Sequence, residues 1–98
     1  MIRRIVLRPE AEADLAEAVT WYETRAQGLG AEFLRSLDAA IALIQRHPTS
    51  CPVVFGTARR AVLRRFPYNL IYVAQEDEII VAACIHSHRD PQRWQKRL

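Results

Sequence analysis

The stretch Ile79-Ile80-Val81-Ala82-Ala83-Cys84-Ile85 constrains the fold more than any other, because it is apolar at every position. A strand turns successive side chains to opposite faces. Strict alternation sends Ile79, Val81, Ala83 and Ile85 one way, and Ile80, Ala82, Cys84 and His86 the other. A sheet built on this strand needs cover on both sides, since an exposed apolar face of that size is unusual on a monomer. Helices can supply one cover. The C-terminal segment, a partner, or both must supply the other.

The flanking sequence fits this demand. Leu70 to Ala74 is a second apolar run, separated from the first by Glu76-Asp77-Glu78, and the two pair as an antiparallel hairpin. Ala61 to Phe66 extends the hairpin to a meander. Near the N-terminus, Ile2 to Leu7 reads as a short strand stopped by Pro9. Pro9 opens a helix with Glu10, Glu12 and Asp14 in its first turns, where the helix dipole favours acids. Ala11, Leu15, Ala18, Val19 and Tyr22 form its apolar stripe, and it ends between Arg25 and Gly28. After a turn at Gln27-Gly28-Leu29-Gly30, a second helix runs from Ala31 to Arg46 with Leu34, Leu37, Ile41 and Ile44 on its core face. Arg46, His47 and Pro48 are its stop signals. So short a turn makes the helices antiparallel. Pro48 to Thr57 reads as a loop, and Asp90-Pro91 as the cap and first residue of a last helical turn or two.

The predicted fold is a single α+β domain over residues 1–98. Its order is β-α-α-β-β-β, with the helical hairpin packed on one face of a small, mainly antiparallel sheet and a short helical segment at the C-terminus. A 98-residue chain buries only about 60 to 65% of its unfolded surface, which points to modest stability without a partner. No apolar stretch approaches the roughly 20 residues of a membrane span. Arg3 and Arg4 interrupt the N-terminal apolar run, and Cys51 and Cys84 suit reduced thiols, so the expected location is cytoplasmic.

Charge is uneven. Residues 1–50 hold six Arg against seven acids, net −1, whereas residues 51–98 hold eight basic residues against four acids, net +4. The sheet half is the basic half. All but one of the basic residues are Arg, a side chain that grips carboxylates and phosphates bidentately. Unless it is a solvated surface with no partner, a basic face points to an anionic partner, either nucleic acid or an acidic protein segment. Arg59, Arg60, Arg64, Arg65 and Arg89 are the candidates to hold it, and strand alternation puts Arg64 and Arg65 on opposite faces. Tyr68 and Trp94 join them as candidate contact residues, although packing is the simpler reading of each, as it is of Trp21.

Cys84, His86 and His88 share i, i+2, i+4 spacing on one strand face. Neighbours there lie about 7 Å apart, too far to share a zinc ion without bending. No metal or other cofactor is expected. Cys84 reads as core, and His86 as a histidine held within the fold or a general acid or base. No phosphate loop or nucleophilic serine motif occurs.

The ordered set Leu63, Arg65-Phe66-Pro67-Tyr68, Leu70, Tyr72, then His86, Arg89-Asp90-Pro91 and Trp94, resembles the RelE/ParE family of toxins from type II toxin-antitoxin modules. Upstream, Pro9 to Leu15, Trp21-Tyr22 and Gly28-Leu29-Gly30 extend the resemblance over nearly the whole chain. It implies a growth-inhibiting toxin of the plasmid-stabilisation type, bound as a hetero-oligomer by a cognate acidic antitoxin. RelE-like members cleave messenger RNA in the ribosome with basic residues on the sheet and a C-terminal tyrosine or histidine. Here Asn69 and Val62 occupy positions where basic residues are expected, and no tyrosine follows the last strand. A reduced nuclease site would rest on Arg65, His86 and Arg89. ParE-like members poison DNA gyrase without a known catalytic constellation, and this branch is favoured. A toxin homologue kept only as an antitoxin-binding partner is the third reading.

Overall fold

The computed structural model describes residues 2–98. It has the order β1 (Arg4–Leu7), α1 (Pro9–Arg25), α2 (Leu29–Arg46), β2 (Val53–Phe55), β3 (Ala58–Val62), β4 (Tyr68–Ala74), β5 (Glu78–His86) and α3 (Gln92–Gln95). The five strands form one sheet in the order β1-β5-β4-β3-β2. Only the β1–β5 pairing is parallel. The helical hairpin, the mixed sheet and the short C-terminal helix match the fold read from sequence.

Pro9 sets the first boundary. It has no N–H to donate to a ladder and suits a helix start, so β1 stops after four residues and α1 begins, with Glu10 and Glu12 in its first turn. The stripe Ala11, Leu15, Ala18 and Tyr22 is buried as expected. Ala26 is extended, and Gly28 takes φ 90°, where a Cβ would be strained. Glu23 then folds back over the turn and accepts the backbone N–H groups of Gly28 at 3.0 Å and Gly30 at 2.9 Å. These are donors that a helix N-terminus leaves unpaired. At Gly30 a side chain would meet Glu23 Oε1 at 3.0 Å and the Val19 carbonyl at 3.1 Å.

The core face of α2 differs from expectation. Phe33, Leu37, Ala40 and Ile44 are buried, Ile41 is half-buried, and Leu34 is 42% exposed. Phe33 wins because its ring stacks on Tyr22 at 5.4 Å and meets Phe66 and Tyr68 edge-on at 5.2 Å. That rotates the stripe by one residue away from Leu34.

Two further boundaries differ. The segment expected to be a loop contains the edge strand β2, which pairs with β3 across a turn at Gly56. Pro52 needs no donor there, because its carbonyl accepts the Arg60 N–H at 3.0 Å. The third strand ends at Val62, short of the expected Phe66. Arg65 turns the chain with φ 70°, and Leu63 N–H closes the turn onto the Tyr68 carbonyl at 3.0 Å. Arg64 and Arg65 are therefore turn residues, and the alternation argument does not apply to them.

Strict alternation also fails along β5. The partner of Ile71 is Ala83 and the partner of Tyr72 is Val81, which leaves Ala82 as an extra residue, a β-bulge. Before the bulge Ile79 and Val81 face the helices; after it Cys84 does, while Ala83 and Ile85 turn to the outer face. Trp94, 8% exposed, covers that outer face by packing with Ala58, Ile71, Ala83 and Ile85. The C-terminal segment thus supplies the second cover; α3 starts at Gln92 with Pro91, not the expected Asp90, at its N-cap, and Gln92 N–H donates to Asp90 Oδ1 at 2.9 Å.

Glu23 carries no group that shields it from water, yet the Gly28 and Gly30 N–H groups hold its carboxyl below the ordinary value of 4.5. A depressed carboxyl stabilises the fold above its unfolded pKa and ceases to do so as pH falls through the lower folded value. Between pH 5 and 3, Glu23→Gln is expected to lose less melting temperature than the unaltered protein, measured by thermal unfolding across that range. Parallel losses in both would show that Glu23 does not hold the turn.

Candidate interaction surface

Four rings join the hairpin to the sheet. Tyr22 from α1, Phe33 from α2, Phe66 from the β3–β4 turn and Tyr68 at the start of β4 lie with centroids 4.9–5.9 Å apart. Their offset and edge-on arrangements suit the ring quadrupoles. Tyr68 pairs across the ladder with His86, ring to ring at 5.3 Å. Ser87 N–H donates to the Pro67 carbonyl at 2.7 Å and Arg89 N–H to the His86 carbonyl at 3.0 Å, so the turn after β5 is tied to the turn before β4.

These ties shape a groove of about 480 Å³ between α1 and the β4–β5 end of the sheet. Glu17, Trp21, Tyr22, Pro67, Tyr68, His86 and Arg89 line it. His86 Nδ1 accepts the His88 N–H at 3.1 Å, which assigns the proton of the neutral ring to Nε2. Burial pushes the Tyr68 phenol above its ordinary value, so it stays protonated and available as a donor at neutral pH.

A second groove, about 500 Å³, lies between α2 and β3. Ala39, Ala40, Leu43, Ala61 and Val62 give it an apolar floor, and Arg46 and Arg64 stand at its rim with no acidic residue among its lining. Leu43 is 48% exposed and Val62 63%. Neither Leu43 nor Arg46 stands out in the sequence as a contact residue, because both fit an ordinary helix C-terminal turn.

The candidate residues disperse. Tyr68, His86 and Arg89 come together in the first groove. Arg65 does not: its guanidinium lies 3.8 Å from Glu32 of α2, and it lines neither groove. Arg59 is half-buried and donates to the Thr49 and Cys51 carbonyls at 3.1 and 2.6 Å, stapling the segment before β2. Arg60 lies on the outer face near Trp94, in a cleft that His86 and Arg89 also line, and Arg64 belongs to the second groove. Trp94 is a core residue, in line with its packing reading, whereas Trp21 is 48% exposed and departs from that reading. Arg25 stacks over the Trp21 ring at 4.3 Å, a cation–π contact that holds it in place. Val62 and Asn69 prove to be cross-strand partners, so both positions that depart from the basic pattern fall at one spot.

Sequence reasoning missed the most constrained polar group. Asp14 Oδ2 accepts the Cys84 N–H at 3.0 Å and Arg97 Nη1 at 2.6 Å, and Arg97 also donates to the Ala82 carbonyl at 3.1 Å. Its only sequence signal is an acid on the half-buried margin of α1. Among the described residues no cluster of His, Cys, Asp or Glu could hold a metal, and no helix is long and apolar enough to cross a membrane.

A helical hairpin on a mixed sheet defines a small α+β domain whose grooves are lined by aromatic, apolar and basic side chains. The profile described as the ParE toxin of the type II toxin-antitoxin system parDE matches residues 5–91, and the chain belongs to that family. Among solved structures, a chain of the chromosomal ParDE toxin-antitoxin system from P. aeruginosa is similar, with a TM-score of 0.75 at 15% identity over 87% of this chain and 96% of that one. At that identity the likeness is one of fold. No curated protein matches the chain.

Burial, and secondarily the Asp14 carboxylate, push the Cys84 thiol up to about 12, so it is protonated and unreactive at neutral pH. A thiol-titrating disulfide reagent at pH 8 is expected to modify Cys51 alone in the folded protein and both cysteines in urea. Rapid modification of Cys84 in the folded Cys51→Ala variant would contradict the packing around the bulge.

Proposed function

We propose that this toxin acts on DNA gyrase by binding rather than by cleaving RNA, and that an acidic antitoxin neutralises it. The observation that carries the reading is the Val62–Asn69 cross-strand pair. An RNA-cleaving sheet needs preorganised cations where charge develops in the transition state. Here an apolar side chain and a neutral amide occupy neighbouring positions on that surface. Arg65 is drawn toward Glu32 and Arg59 toward backbone carbonyls, which leaves His86 and Arg89, with Arg60 in the flanking cleft, without Arg65.

The groove between α2 and β3 suits the antitoxin. Its apolar floor accepts one face of an amphipathic segment, and Arg46 and Arg64 pair with carboxylates at the edges. The P. aeruginosa system named above is a toxin-antitoxin pair, which supports a ParD-type partner for this chain. Such a segment, disordered when free, folds as it covers the apolar surface. Reversing both rim charges, Arg46→Glu with Arg64→Glu, is expected to weaken binding of the acidic product of the adjacent gene by at least tenfold in calorimetric titration, while Arg3→Ala with Arg4→Ala changes it little.

Expression in a bacterial host without antitoxin, followed by DNA supercoiling and transcript integrity in the same cells, tests the target. Lost negative supercoiling or trapped double-strand breaks with intact transcripts is the expected result. Rapid transcript cleavage with normal supercoiling would establish ribosome-dependent RNA cleavage instead. No growth defect at all would mark the chain as an inactive antitoxin-binding homologue.

A further inference from the structure

The groove between α1 and the β4–β5 end shares no lining residue with the one between α2 and β3. The proposed function requires two protein contacts, and these two grooves are separate seats. We infer that the α1–β5 groove is the target-facing surface, and that it takes an acidic segment of the target protein carrying an apolar or aromatic anchor. This inference rests on the reading of the chain as a toxin that acts by binding a protein.

Its composition is that of an interface hot spot, where Trp, Tyr and Arg supply most of the binding energy. Trp21 is the exposed anchor. It is already fixed, by Arg25 stacked at 4.3 Å and by Tyr22 edge-on at 5.0 Å. Tyr22 and Tyr68 belong to the rigid four-ring cluster beneath. A partner's side chain inserted there orders few groups, which lowers the entropic cost of association.

The polar groups define the partner's charge. Arg89 lines the groove, Arg25 stacks on its Trp21 wall, and Arg93 stands with Arg89 in the adjoining cleft; Glu17 and, in that cleft, Asp14 are the acids nearby. Asp14 is already paired with Arg97. The lining itself sets one cation, Arg89, against one acid, Glu17; the basic excess comes from Arg25 and Arg93 at its margins, and His86 adds its Nε2–H as a donor to a carboxylate or carbonyl. Glu17 on the α1 side places the partner's carboxylate toward Arg89 and His86. A nucleic-acid strand fits less well at this groove, because Glu17 in its lining repels successive phosphates, even with Arg60 and Arg93 beside Arg89 in the adjoining clefts.

Trp21→Ala and Arg89→Glu test the assignment, each expressed in the same host and titrated in a gyrase supercoiling assay. The expected result is at least a tenfold loss of growth inhibition and of supercoiling inhibition in both. Urea midpoints should be unchanged, and affinity for the acidic product of the adjacent gene should stay within threefold. Full potency in both variants would overturn the groove while leaving the gyrase reading intact. A matching loss of affinity for that acidic product would reassign the groove to the antitoxin. A toxic wild type that leaves both supercoiling and transcripts intact, with toxicity lost in the variants, would retain the groove and reject gyrase. Transcript cleavage abolished by the variants would show an RNA site and overturn the inference.

Discussion

The fold depends on what happens to the edge of β5 once β1 has ended. β1 pairs with Glu78 to Val81 and no further, because the chain must turn at Pro9 to begin α1. The rest of β5 keeps a bare edge, and a buried unpaired backbone group costs several kilocalories' worth of lost hydration in order of magnitude, roughly 1–3 kcal/mol each. Asp14 and Arg97 fill that edge. The carboxylate takes the Cys84 N–H, the guanidinium takes the Ala82 carbonyl, and the two neutralise each other at 2.6 Å. The bond to Asp14 also holds the Arg97 guanidinium above its already high ordinary pKa.

This plug couples elements that the sheet alone would leave separate. Asp14 fixes the angle of α1 over β5, and so the position of Trp21 two turns later. Arg97 anchors the C-terminal tail, which keeps Trp94 on the outer face over Ile71, Ala83 and Ile85. The bulge at Ala82 is what makes both possible. By shifting the alternation it places Cys84 toward the helices and frees Ile85 to meet Trp94. Beyond Trp94 the outer face stays open as a trough of about 320 Å³ bounded by Phe55, Val73, Ile80 and Leu98.

The element types were legible because each rests on a local rule. The Pro9 start, the stripe through Tyr22 and the acidic turn at Glu76 all act within a few residues. What was not legible depends on distant partners. β2 exists because β3 offers it an edge, which outweighs the loop signals of Pro48, Pro52 and Gly56. The burial of Phe33 over Leu34 is decided by Tyr22, Phe66 and Tyr68. The bulge is decided by how β4 and β5 register, and a uniformly apolar strand carries no pattern that a one-residue slip would violate. At the surface, His86 and Arg89 were identified and do meet, whereas Arg65, three residues before Tyr68 in sequence, adopts φ 70° in the turn and lies toward Glu32.

Net charge proved a coarse guide for a related reason. The basic half of the chain holds eight cations, and charge alone would spread them as a field for phosphates. The fold spends several on itself: Arg59 on two carbonyls, Arg97 on Asp14, Arg65 beside Glu32. Of the others, Arg64 lies at the groove between α2 and β3, whereas Arg89 lines the groove beside α1 and shares its flanking clefts with Arg60 and Arg93. Cations set beside apolar floors and aromatic walls, with Glu17 among them, suit carboxylates on a folded or folding partner better than a phosphate chain. The positive balance and the protein-binding reading are thus compatible once each arginine is placed.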